Sequence, residues 1–270
     1  MDNTLTVPEK LSNWLSFSPH QRNGRLYRTI VNRVWAQLMG RGIVEPVDMM
    51  DNEPWSQDLL DWLASDFVEQ KGDLKQLIFT ITTSKTYQLA SVGIKDENDI
   101  VSDNYTFRGM HRRRLSAEQF ADAVSTIVAP IYPDTVRQYD PFKNTKTIEP
   151  FNYARASLVK NDIFLTALGR PNRENVSTSR SSQANLLQAL ELTNGSTFNN
   201  VLQVGANKWS EKYQNKEQIV NELYKMCLGR MPQEAEQKNA LRVLAASPDG
   251  GSVQDLMWSV LLLPEFQLIY

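Results

Sequence analysis

The strongest constraint in this sequence is an apolar recurrence near its start. Leu26, Ile30, Val34 and Leu38 follow one another at intervals of four, with Trp35 beside them. A helix turns once every 3.6 residues, so this spacing lays the four side chains along one stripe and predicts an amphipathic helix over 24–39. The same periodicity recurs through most of the chain, and no segment alternates convincingly as a strand would. The expected class is therefore all-α: an irregular multi-helix bundle with long loops and little or no β-structure. At 270 residues with 41% hydrophobic side chains, the chain has ample material for a sizeable core. We expect one helical domain over 1–270, with 90–110 as the natural place for a subdivision and 183–270 as a C-terminal helical half.

Stop and start signals divide the pattern further. A short helix is expected over 9–17. Ser56 reads as the cap of a helix with the stripe Leu59, Leu60, Leu63 and Phe67. Asp73 opens another, running through Leu77, Ile78 and Ile81 to about Leu89. Ser116-Ala-Glu-Gln119 is a capping box, followed by helix to Ala129 and a stop at Pro130. Further helices are expected over 158–168, 183–193, 197–204, 216–228, 233–246 and 253–262, with Asn215 and Ser252 as caps. Segment 131–152, which holds Pro133, Pro141 and Pro150, reads as a long irregular loop. Three helices end alike, in Gly40-Arg41-Gly42, Gly169-Arg170-Pro171 and Gly229-Arg230-Met231-Pro232. A glycine stop followed by a residue that resists helix is shared helix-end chemistry and not a repeat.

Charge and reactive side chains narrow the function. The net charge is -2, which speaks for neither a nucleic-acid partner nor an acidic one. Its distribution is uneven. Nine acids stand against Lys71 alone between Glu45 and Asp73, and twelve bases against seven acids between Arg108 and Arg180. These stretches either compensate each other or mark a binding surface. Cys227 is the sole cysteine, and His20 and His111 are the two histidines. That leaves no internal disulfide, no cysteine-rich zinc site, no nucleophile elbow and no glycine-rich phosphate loop. We expect no catalytic residue, no metal and no cofactor. No apolar run reaches the length of a membrane span, and residues 1–10 lack a signal-peptide pattern. Trp14, Trp35 and Trp62 occupy core-like helical positions.

Three polar constellations remain. Asp48, Asp51, Asn52 and Glu53 offer oxygens to a hard cation, but without calcium-loop spacing, and read better as a solvated loop. His111-Arg112-Arg113-Arg114 precedes a helix start, where the dipole disfavours cations, so the charge of Arg112, Arg113 and Arg114 needs compensation from carboxylates or from a bound anion. Residues 169–182 gather Arg170, Arg173 and Arg180 with hydroxyl side chains just before a helix. Such a segment either ties the loop to its helices or holds a carboxylate, sulfate or phosphate.

Several landmarks in order, Asn32-Arg-Val-Trp35, Gly40-Arg-Gly-Ile-Val44, Leu59-Leu-Asp-Trp-Leu-Ala64, Thr83-Ser-Lys-Thr-Tyr87, Arg113-Arg-Leu-Ser-Ala-Glu118, Gly169-Arg-Pro-Asn-Arg-Glu174 and the closing Leu256–Phe266 segment, resemble the planctomycete-type PSD domain, a domain of unknown function. The resemblance spans about Leu11 to Phe266. It implies a module of a larger exported bacterial protein, periplasmic or extracellular, with the other domains of the same polypeptide as partners, a cytochrome c-like domain among them. It brings no catalytic residues. Relatives often carry histidine where this chain has Trp55-Ser56-Gln57, and cysteine where it has Val176-Ser177-Thr178. The expected function is a non-catalytic helical module that docks onto partner domains or a redox partner. The alternative is a carbohydrate-active or hydrolytic domain that binds anionic polysaccharide through the arginine-rich loop.

Overall fold

A computed structural model describes residues 24–93, 105–133, 155–171, 185–213, 215–244 and 249–269. The helix expected over 9–17, most of the 131–152 loop, Trp14, His20, Arg173 and Arg180 lie outside them. The described residues are largely α-helical, with strand confined to one pair of two-residue segments. Backbone packing separates two compact units, the first ending at Arg113 and the second beginning at Arg114.

The first unit contains α1 (Arg25–Met39), α2 (Gln57–Glu69) and α3 (Leu74–Thr82). The buried line of α1 is Val31, Asn32, Trp35 and Met39. It lies one position beyond the expected Leu26–Ile30–Val34–Leu38 stripe, which is only half-buried. The shift follows from Asn32, whose side chain faces inward. Its Oδ1 accepts from the backbone N–H of Ile43 (2.7 Å) and Val44 (3.0 Å), and its Nδ2 donates to the carbonyls of Val44 and Val47. One amide therefore pins the whole loop after α1, satisfying backbone groups that burial would otherwise leave unpaired. Ser56 caps α2 as expected, by accepting from Leu59 N–H. Helix α3 stops at Thr82, well short of Leu89. The hydroxyls of Thr82 and Thr83 both bond back to Phe79 carbonyl, and that of Ser84 to Ile81, offering the backbone a competing set of partners.

The second unit opens inside β1 (Arg113–Arg114), paired with β2 (Leu268–Ile269). It continues with α4 (Ala117–Ile127), a 3₁₀ turn (Ala156–Leu158), α5 (Ile163–Ala167), α6 (Leu186–Asn194), α7 (Ser196–Lys212), α8 (Lys216–Leu228), α9 (Glu234–Val243), α10 (Gly250–Leu261) and α11 (Pro264–Gln267). The capping box at Ser116 and Gln119 is present, as is the Asn215 cap. The 158–168 helix is instead split, because Asp162 is extended and accepts from Leu165 N–H to start α5 afresh. The cap of α10 is Asp249, and Ser252 is its reciprocal partner three residues on. Helix α7 runs through Gly205 to Lys212, past its expected end near Val204. A Cβ at Gly205 would fall 2.2 Å from Val128 Cγ1, so this glycine allows a close helix approach and does not mark a stop. At the centre, Phe120 lies 5.8–6.4 Å, centroid to centroid, from Phe164, Phe198 and Phe266. Apolar side chains of α4, α7, α8 and α10 enclose these rings.

All three glycine stops take up left-handed backbone, with φ of 80° at Gly40, 93° at Gly169 and 68° at Gly229. An L side chain is strained there, which is why glycine ends these helices.

Candidate functional site

The arginine that follows each stop is held by other parts of the chain, with different partners in each case. Arg41 is buried, with its guanidinium carbon 3.5 Å above the centre of the Tyr105 ring. Arg170 donates to the carbonyls of Ala156 (3.0 Å), Val159 (3.1 Å) and Ser157, and pairs with Glu118 at 3.3 Å. Arg230 grips Glu236 and Glu265 with paired bonds of 2.7–2.8 Å, joining the end of α8 to α9 and α11. These bonds hold the Glu236 carboxyl down at about 2.

The described candidate arginines each have their own partners. Arg112 is exposed and donates to Ser91 Oγ at 3.3 Å. Arg113 donates to the carbonyls of Ala36 and Gln37 in the last turn of α1. There the negative end of the helix dipole, and not a carboxylate, compensates the charge. Arg114 meets the amide oxygens of Gln188 (2.6 Å) and Gln267 (3.5 Å), in a small recess also lined by Leu115, Phe120 and Leu168. Arg170 shares none of these partners. Three acids of the acidic stretch are taken up by α1: Arg25 pairs with Asp51, Arg28 with Asp61 and Arg33 with Asp48. In the loop read as solvated, Asp48 and Asp51 make these pairs and Asn52 donates to Glu45 carbonyl. Among the described residues no three or more His, Cys, Asp and Glu side chains are grouped to hold a metal, and no helix is long and apolar enough to cross a membrane.

Sequence reasoning missed a polar–aromatic cluster in the first unit. Trp55 stacks on Phe107 (5.4 Å) and sits edge-on to Tyr105 (6.0 Å), while Trp35 tilts against both Trp55 and Phe107. Tyr105 Oη and His111 Nε2 share a hydrogen bond of 2.7 Å. His111 Nδ1 is enclosed without a hydrogen-bond partner. Burial, then Arg41, pushes the His111 pKa down, and burial pushes those of Tyr105 and Glu45 up. Each of these shifts favours the neutral form, as desolvation dictates. The residues come from the end of α1, the loop pinned by Asn32, and the 105–111 segment, so no local motif announces them. The only local signal was His111 at the head of its arginines.

The second class of surface is apolar. Trp62, expected in the core, is 58% exposed on α2, and Ile78 and Phe79 are exposed on α3. In the second unit α6 buries Gln188 and Leu192 and exposes Leu186, Leu187 and Leu190, Leu186 to 75%. Ile163 on the adjoining α5 is equally exposed. Helical geometry explains why this is one surface: residues 186, 187 and 190 fall within about 100° of arc, opposite Gln188 and Leu192.

A family model described as PSD1, protein of unknown function (DUF1553), matches residues 9–244. No curated protein and no solved structure matches the chain.

Proposed function

This chain belongs to the PSD1 family of proteins of unknown function, and on that premise we propose that it is a non-catalytic helical module that docks onto other domains of a larger exported polypeptide, a cytochrome c-like domain among them. The observation that carries this reading is α6, a helix with its glutamine inside and its leucines outside. Exposed apolar faces of this kind are what partner surfaces cover. The anionic-polysaccharide reading would rest on Arg173 and Arg180, which lie outside the described residues, because the described arginines Arg170 and Arg113 already have partners within the chain. Arg170 is occupied by three carbonyls and Glu118, and Arg113 by the end of α1.

The test is calorimetry of the purified chain against the separately purified neighbouring domains of its polypeptide. Saturable binding is expected, weakened at least tenfold in Leu187→Asp/Leu190→Asp while the helical circular dichroism is unchanged. Binding indifferent to these changes overturns the proposal. So does unaided turnover of a substrate that one substitution abolishes.

A further inference from the structure

The acidic residues of the first unit are unequally used. Asp48, Asp51 and Asp61 are paired with arginines of α1. Asp58, Asp66 and Glu69 on α2 have no basic partner among the described residues, and Asp66 Oδ2 is enclosed without a hydrogen bond. Their spacing with Trp62 is four, four and three residues, which lays Asp58, Trp62, Asp66 and Glu69 along one stripe of the helix. Asp58, Trp62 and Glu69 are exposed on it. Helix α2 contains no lysine or arginine. Lys71 lies in the turn that follows, and Lys75 on α3, so the α2 stripe itself has no cation.

Helix α3 packs against α2 and adds an apolar face. Leu77 and Ile81 point inward, whereas Leu74, Ile78 and Phe79 are exposed, Phe79 to 59%. A fold that needed only a solvated surface here would place polar residues at 62, 74, 78 and 79. It has instead exposed aromatic and aliphatic side chains on two helices that pack together, one of which also carries carboxylates with no basic partner among the described residues, the ingredients of an interface with apolar contacts and charged selection.

We propose that this α2–α3 face binds a basic, amphipathic protein segment, with Trp62, Ile78 and Phe79 meeting its apolar side and the exposed Asp58 and Glu69 meeting its lysines or arginines. The carboxylates select the sign of the partner and speed its arrival, and the rings supply the contact area. A second copy of the chain is the poorer occupant, because it would bring the same unpaired acids against each other. This face belongs to the first unit, and the proposal stands without the leucine face of α6.

The experiment uses the full chain and two probes, an amphipathic leucine–lysine helical peptide and its leucine–glutamate counterpart, followed by tryptophan fluorescence and calorimetry. The lysine peptide is expected to bind and the glutamate peptide not to bind. Added salt should weaken the complex several-fold. Asp58→Lys/Glu69→Lys and Phe79→Ala should each reduce affinity about tenfold or more, and Trp62→Phe should remove the fluorescence response. These positions are exposed, so the variants should fold as the parent does, which circular dichroism checks. Equal binding of both peptides, no binding of the lysine peptide, or affinity unchanged in the variants would overturn the proposal. Self-association of the chain that Phe79→Ala abolishes would also overturn it, by assigning the face to a second copy. Loss of neighbouring-domain binding in the α6 variants leaves this result untouched, so the two proposals fail separately.

Discussion

The two units bury different things at their centres. In the first, the side chain that holds the most backbone is Asn32, and the loop it pins carries Arg41, Glu45 and Trp55 into a polar–aromatic cluster. In the second, four phenylalanines meet, and polar side chains clamp helix ends around them. The difference is one of length and regularity. The first unit has three described helices and a long loop whose backbone must find partners, so it depends on one amide that supplies them. The second has helices enough to close an apolar core, and spends its polar contacts at the ends.

That contrast is open to direct attack. Phe164→Ala should destabilise the second unit by about 4 kcal/mol, the range for an aromatic removed from a packed core, and leave hydrogen exchange in α1 unchanged. Asn32→Ala should cost the first unit about 3 kcal/mol, because the Ile43 and Val44 amides lose their acceptor inside the protein. Slow exchange should then disappear from α1 and survive in α10. If either variant melts both units together, the comparison fails.

Acid provides a gentler separation. The His111 pKa is lowered on folding, so the unfolded chain takes up that proton first, and the first unit loses stability as pH falls through about 6.5. Glu45, raised by burial, works in the opposite sense, since the folded state takes up its proton more readily. His111→Gln should therefore remove the loss and leave any residual gain. Glu236 is lowered to about 2, so its contribution to the second unit is intact above its ordinary value near 4.5 and is lost only as pH falls towards 2. Exchange measured between about pH 7 and pH 5 should weaken α1 before α10; simultaneous weakening would contradict these assignments. The smallest effect is expected at Leu187→Asp/Leu190→Asp. Thermal unfolding should change by no more than about 0.5 kcal/mol, because these leucines are outside the core.

Local chemistry was legible in the sequence wherever one residue decides it. The left-handed stops at Gly40, Gly169 and Gly229, the box at Ser116 and the bounds of α8 all followed from short-range rules. What failed depended on neighbours distant in sequence. The helix expected over 197–204 continues through Gly205, and the residue this glycine packs against, Val128, is 77 positions away. Trp62 looked like core because its helical position is apolar in pattern but faces solvent in the fold. The inward turn of Asn32 was hidden for the same reason, since its partners are loop amides that periodicity does not register. In the candidate site, the residue that the sequence singles out is arginine. The compensation expected for it proved to be carbonyls, helix ends and a ring as much as carboxylates.

The described arginines help to build the fold, and Arg170 puts this to the test. Its side chain is 9% exposed and joins Glu118 to the carbonyls of Ala156, Ser157 and Val159. Calorimetric unfolding of Arg170→Met in the ligand-free chain should show a clearly lowered Tm, because the substitution removes the donor shared by three carbonyls and the cation beside Glu118. An unchanged or raised Tm would mean that the arginine is held in readiness for a ligand, and would contradict the account.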